Sequence, residues 1–415
     1  MVTLKAQPSA GIKPPTQCAS GRLRIVVLGY IVRGPIGGMA WHHLQYALGL
    51  KQLGHEVLFL EDSDDYPSCY DPSNHSIGTD PTYGLRFAER AFEQLGLRDC
   101  WAYFDAHDTG WNGPASDNAL SFCNDAEVLL NVSGVNRIRS WHRKIPVRVL
   151  IDTDPIFTQI RHLKDAEACA RAARHNAFFS FGELIHSSDS AIPNDGFDWH
   201  PTRQPVVLDA WPFSKGPTDR PFTTVMQWES YPAVEWNGSR FGMKRDSFSV
   251  IDDLPARVPS PLELALGGES APRRELEQAG WKIVNPLVVA RDITSYQEYL
   301  RKSRGELSVA KHGYVAAQCG WFSERTACYL ATGRPAVVQD TGFSRHIPCG
   351  AGLWSFNDAA AAADAIENID ANYDAECRSA RELAVAYFDS RKVLVSLLER
   401  AFDMAKRPNP TVAAR

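Results

Sequence analysis

The sequence predicts an α/β protein made of two parallel-sheet domains. Three observations carry that expectation. A strand, loop, helix, strand pattern opens the chain at 24–60. A second alternating series of strands and helices begins at Thr223. Between them, 192–218 is rich in proline and glycine and poor in periodicity. The length of 415 residues suits two domains at ~100–200 residues each.

Arg24–Tyr30 is a continuous apolar run closing on Gly29, as a strand buried on both faces requires. A glycine-rich loop, Gly34-Pro35-Ile36-Gly37-Gly38, follows it. Met39–Leu53 has apolar residues at 40, 44, 47, 48 and 50, a helical stripe that Gly54 can cap. Glu56–Leu60 is the next strand, which makes a βαβ unit. Glu127–Val132, Val147–Ile151 and Ala177–Ser180 read as strands, with Asp165–Arg174 as a helix. In the second series the expected strands are Thr223–Gln227, Lys282–Asn285, Glu306–Ala310 and Ala336–Gln339, with Pro261–Leu266 as a strand or short turn. The expected helices are Pro272–Gly280, Ser295–Lys302, Ser323–Ala331 and Asp358–Ile369, then a long broken helical region at Ala375–Met404.

Composition excludes several classes. With 44% hydrophobic and 22% charged residues the chain is too apolar for disorder. No run reaches the ~18 uncharged apolar residues of a membrane helix, so no integral membrane segment is expected. A net charge of -5 offers no electrostatic footprint for nucleic acid. Nine cysteines, without a C-x-x-C pair, argue against a zinc or dithiol site and for reduced thiols in a cytoplasmic protein. Met1–Gly21 has no apolar signal region and reads as a flexible leader; Lys406–Arg415 reads as a similar tail.

Ligands of paired α/β domains lie at the carboxyl ends of strands. The glycines at 29, 34, 37 and 38 do not fit G-x-G-x-x-G, so a dinucleotide dehydrogenase is not expected. The Gly37-Gly38 pair at a helix start lets a ligand approach the backbone. His42 and His43 follow; one of them at most faces the cleft, as a base or hydroxyl-orienting group or as a packing residue. Asp152 and Asp154 end a buried strand, where a carboxylate could deprotonate a hydroxyl or merely close an Asx turn. In the second half Lys311-His312 follows a strand, and a lysine there can neutralise a diphosphate. Ser323 is a good N-cap, with Glu324 and Arg325 in the first turn. Their backbone N–H groups and the guanidinium can seat phosphate oxygens. Trp228 could stack on a base or fill the core, and Lys244 could be a second diphosphate cation.

Gly37-Gly38-Met39-Ala40-Trp41-His42 with Gly54-His55-Glu56-Val57 resembles the first βαβ unit of GT-B glycosyltransferases. The segment from Gly320-Trp321-Phe322-Ser323-Glu324-Arg325 through Gly333-Arg334-Pro335 to Asp340-Thr341-Gly342 resembles that superfamily's donor-binding half. Its family 4 and spore-protein-type members are the nearest in pattern; Arg325 matches an arginine of the latter, eight residues before the helix-ending glycine. The resemblance implies two Rossmann-like domains facing each other across a cleft. The expected division is a domain at 22–205, a linker at 206–218, a donor-binding domain at 219–385, and a C-terminal helix at 386–405 packing back on the first domain.

The implied activity is metal-independent transfer of a hexose-like sugar from a nucleotide-diphosphate-sugar, of UDP type, to an unidentified acceptor. The donor is a co-substrate, so no cofactor is implied. Implied donor contacts are Gly37, Gly38, Lys244, Lys311, His312, Ser323, Glu324, Arg325, Asp340, Thr341 and Gly342. His42, Asp154 and Asp152 are the candidates for handling the acceptor proton. Members of the superfamily often carry glutamates where this chain has Cys328 and Gly320. Glu324, one helical turn before Cys328, is the candidate replacement. Epimerase or hydrolase chemistry on the same fold, or non-catalytic nucleotide-sugar binding, are the alternatives.

Overall fold

A computed structural model describes residues 21–407. All but the last residue of the expected leader, and the tail from Pro408 on, lie outside the described residues.

The opening βαβ unit forms as its pattern requires. Arg24–Leu28 runs parallel to Glu56–Asp62, Ile25 beside Val57, and the helix Gly37–Gln52 joins them. Gly54 sits just beyond the helix at φ +90°, the left-handed position that favours glycine. On the other flank of Arg24–Leu28 come Val128–Val132, Val147–Asp152, Ala177–Ser180 and Trp199–Pro201, all parallel. Beyond Glu56–Asp62 lie Trp101–Asp105 and an antiparallel edge strand, Gly110–Asn112. The first sheet thus has eight strands.

The second sheet has six parallel strands: Lys282–Val284, Leu262–Gly267, Phe222–Gln227, Gly305–Ser308, Ala336–Gln339 and Leu353–Phe356, in that spatial order. Leu262–Gly267, Gly305–Ser308 and Ala336–Gln339 are wholly buried, and the helices Arg273–Gln278, Ile293–Lys302, Glu324–Ala331 and Ala359–Ala371 come after Leu262–Gly267, Lys282–Val284, Gly305–Ser308 and Leu353–Phe356 in sequence.

Three segments differ from the sequence expectation. The stretch 192–218 is not featureless: Trp199–Pro201 adds an edge strand to the first sheet, where a proline costs no ladder bond. Residues 61–126, which carried no assignment, hold the small hairpin Cys69–Asp71 and Ser76–Gly78, the helix Thr82–Gln94 and the two outer strands. The broken helical region resolves into Tyr373–Tyr387 and Ser390–Ala405. The latter returns to the first sheet: the Arg400 guanidinium lies over the Phe179 ring, 4.9 Å from its centre, and donates to the Pro201 carbonyl at 2.9 Å. Among the described residues, no helix is long and apolar enough to cross a membrane.

Candidate active site

The start of the Gly37–Gln52 helix is pressed against the second half of the chain. The Gly37 N–H donates to the Ala290 carbonyl at 2.7 Å, and Trp41 Nε1 donates to the Ile293 carbonyl at 2.9 Å. A Cβ at Gly37 would stand 2.2 Å from the Asp292 carbonyl oxygen; at Gly38 it would touch the Tyr296 ring. The close approach that these glycines permit is therefore to the Ile293–Lys302 helix, a correction to the ligand contact expected at Gly37. Gly38 also borders the gap that follows.

That gap is about 10 Å³, space for about one water molecule at most. Gly38, His42 and Gln45 line it from the first half, and Tyr296, Glu324 and Arg325 from the second. His42 is the histidine that faces it. Its Nε2 lies 3.2 Å from the Ser133 hydroxyl, and its Nδ1 has no partner. Burial pushes its pKa down, partly opposed by Glu324, so the ring is neutral and able to take a proton. His43 points into the core with both nitrogens unpartnered and its pKa pushed well down by burial.

Ser323 caps the Glu324–Ala331 helix, its hydroxyl accepting from the Arg325 N–H at 3.2 Å. The Arg325 guanidinium is anchored on three protein acceptors: Glu306 at 2.6 Å, the Val225 carbonyl at 2.6 Å and the Ser308 hydroxyl at 2.5 Å. Glu306 is wholly buried, and its second carboxylate oxygen has no partner. Burial opposes the Arg325 charge, but Glu306 together with the neighbouring Tyr296 and Tyr329 holds the pKa above its ordinary value.

Lys244, the first residue of the Lys244–Phe248 helix, forms no ion pair or hydrogen bond among the described residues. Burial and then the neighbouring Arg325 push its ammonium down to about 7, against the pull of Glu324 and Glu306.

A second cluster ties the halves together. Lys311 Nζ donates to Asp154 at 2.8 Å and to the Tyr231 hydroxyl at 2.7 Å, and both Tyr231 and Tyr314 donate to the same carboxylate. Trp321 stacks on Tyr314 with ring centres 4.5 Å apart, and its Nε1 donates to the Thr153 carbonyl at 3.2 Å. Burial alone would raise the Asp154 pKa; Lys311 and the two tyrosines overcome it and hold it below the usual carboxylate value. Asp154 is thus an anchored anion rather than a free base, and Lys311 already has an anionic partner.

The remaining candidates are engaged locally. Asp152 accepts from Gln159 at 3.0 Å, Ser180 at 2.7 Å and the Asp154 N–H at 2.9 Å, so it closes the strand end; burial raises its pKa. Asp340 accepts from the Gly342 N–H at 2.9 Å and the Ser344 hydroxyl at 2.6 Å, and Thr341 donates to the Trp321 carbonyl at 2.5 Å. Gly342 has φ +94°, and a Cβ there would stand 2.6 Å from Leu184 of the first half. His312 Nδ1 accepts from the Gly242 N–H at 3.3 Å. Trp228 is a core ring, tilted on Phe248 with centres 5.3 Å apart.

One feature carries no assignment among the sequence expectations. A cleft of about 1020 Å³ runs along the carboxyl ends of Phe222–Gln227, Leu262–Gly267 and Lys282–Val284. Gln227, Gly267, Gly268, Arg273 and Asn285 line it, with Tyr70 and His75 from the first half. The Gly267-Gly268 pair after a strand was the legible clue; the facing residues come from 200 positions away or so and were not.

No protein-family model and no curated protein matches the chain by sequence. Solved structures do match it. An alpha-glucosyltransferase in complex with UDP-glucose and DNA containing an abasic site superposes with a TM-score of 0.56 at 13% identity, over 92% of this chain and 100% of that one. AviGT4, a glycosyltransferase involved in avilamycin A biosynthesis, gives 0.51 at 12% identity, over 93% and 99%. Sucrose-phosphate synthase from Thermosynechococcus elongatus gives 0.50 at 14% identity, over 92% and 100%. At those identities the likeness concerns architecture, and it spans both sheets: this chain has the two-domain GT-B fold of glycosyltransferases.

Proposed function

We propose that the protein transfers a sugar from a nucleotide-diphosphate-sugar, of UDP type, to an acceptor hydroxyl. The observation that carries the proposal is the Lys244 ammonium. It stands beside Arg325 with no ion pair of its own among the described residues, its pKa pushed down to about 7 against the pull of Glu324 and Glu306. A cation so placed is completed by an anionic ligand.

The nucleoside would lie in the large cleft along the strand ends, where open α/β sheets bind nucleotides. Its diphosphate would reach Lys244, Arg325 and the helix start at Ser323. As the bond from the sugar's anomeric carbon to the diphosphate oxygen breaks, charge develops on that oxygen. The two cations and the helix N–H groups would stabilise it, an electrostatic contribution of the kind that dominates many enzymes. The acceptor oxygen forms the new bond to the anomeric carbon and gives its proton to neutral His42. Side chains supply the counter-charge in this reading, without a metal. Two of the expected roles change on geometric grounds: Asp154 and Asp152 are occupied by protein donors, which leaves His42 to handle the proton.

DNA is present in the complexes of the alpha-glucosyltransferase. For this chain we read the acceptor as other than nucleic acid, because a net charge of -5 would repel the phosphate backbone. Retention of labelled duplex DNA at physiological salt would overturn that. The transfer reading is tested by incubating the protein with UDP-sugars and a panel of hydroxylated acceptors. UDP release should need an acceptor and fall at least a hundredfold in Lys244→Ala and Arg325→Ala. Release that needs no acceptor would favour hydrolysis or epimerisation; release undiminished in both variants would overturn the site.

A further inference from the structure

A second cavity, of about 280 Å³, lies in the first half beneath the loop that follows Val128–Val132. It is far larger than the ~30 Å³ of one water and close to the ~300 Å³ lower bound of small-molecule pockets. Its wall is mixed. Leu150 and Ala168 are apolar; Asn131, Ser133, Arg161 and His175 are polar. Asn131 and Leu150 are register partners on adjacent strands and so share a face of the sheet.

Asn131 is 1% exposed and only half satisfied. Its Nδ2 donates to the Asn136 carbonyl at 2.9 Å and to His175 Nε2 at 3.1 Å. His175 in turn donates from Nδ1 to the Ala172 carbonyl at 2.9 Å. These bonds agree on one amide orientation and one tautomer. They leave Asn131 Oδ1 buried with no donor. Such an oxygen asks for a hydroxyl or N–H from outside the protein.

Ser133 connects this cavity to His42, which lines the small gap between the halves. Ser133 lines the cavity, and its hydroxyl lies 3.2 Å from His42 Nε2 while accepting from Thr153 at 2.8 Å. Ser133 and Gly134 both have positive φ, +62° and +63°. A left-handed serine is a strained residue of the sort held at ligand sites.

We propose that this cavity seats a pyranose ring of the acceptor. One ring hydroxyl donates to Asn131 Oδ1, the C–H face lies on Leu150 and Ala168, and the reacting hydroxyl reaches past Ser133 to His42. The acceptor role rests on the transfer reading above; binding of the ring does not. The test is saturation-transfer NMR with free D-glucose, D-galactose, D-mannose, N-acetyl-D-glucosamine and L-rhamnose, with UDP-glucose affinity measured alongside by calorimetry. Ala168→Trp fills the cavity and leaves the donor residues alone; Ala168→Leu is a smaller filling that guards against misfolding. At least one monosaccharide should bind the wild type and weaken tenfold or more in both variants, with UDP-glucose affinity unchanged. Absence of any monosaccharide signal, or a signal undiminished by both fillings, would overturn the proposal. Cavity-dependent monosaccharide binding without UDP-glucose binding would uphold the site and remove the transfer reading.

Discussion

Lys244 and Arg325 are cations in similar surroundings with opposite fates. Arg325 is paired directly with a buried carboxylate, Glu306, and keeps its charge; Lys244 forms no such pair among the described residues, and its proton is held only to about pH 7. The unfolded chain keeps that proton to the ordinary 10.5. Folding therefore releases it between about pH 7 and 10.5, and Lys244's contribution to stability rises with pH across that window. The Arg325–Glu306 pair makes a different prediction. Glu306→Ala leaves a buried guanidinium uncompensated and should cost about 3–5 kcal/mol in urea denaturation. A loss below about 1 kcal/mol would mean that solvent or another carboxylate takes over. Of these residues Arg325 was legible as a helix-start cation. Glu306 was not, because a glutamate inside an apolar strand carries no mark of the arginine nineteen residues on.

Periodicity identified the elements whose both faces are buried. Arg24–Leu28 and Ala336–Gln339 are built on continuous apolar runs, and they are strands. Segments whose form depends on tertiary partners were opaque. Trp199–Pro201 is a strand only because Ala177–Ser180 offers a free edge. The Gly37-Gly38 pair was legible as a close-approach site, but what approaches is protein. Gly37→Ala should accordingly destabilise by about 1–3 kcal/mol through overpacking on Asp292. A thermal midpoint equal to the wild type's would show that the Ile293–Lys302 helix moves aside without cost.

At the scale of the molecule, the halves meet in a closed arrangement. The gap between His42 and Arg325 holds about one water, not a sugar. Turnover then requires the halves to part, and the Asp154–Lys311 contact, more buried than the Arg345–Asp189 pair, is a charged tie resisting it. Asp154→Asn removes the charge, so the radius of gyration from small-angle scattering should rise relative to the wild type; an unchanged value would place the restraint in the packed glycine contact instead. The most direct test of the central claim is the affinity for UDP-glucose as a function of pH. Its diphosphate diester does not titrate between pH 6 and 8, so any change belongs to the protein. Binding an anion to Lys244 requires the proton. Affinity in the wild type should therefore fall about tenfold from pH 6 to pH 8, as expected for one group with a pKa near 7, and should be weak and flat in Lys244→Gln. Wild-type affinity independent of pH, or a Lys244→Gln variant that binds as the wild type does, would contradict the account.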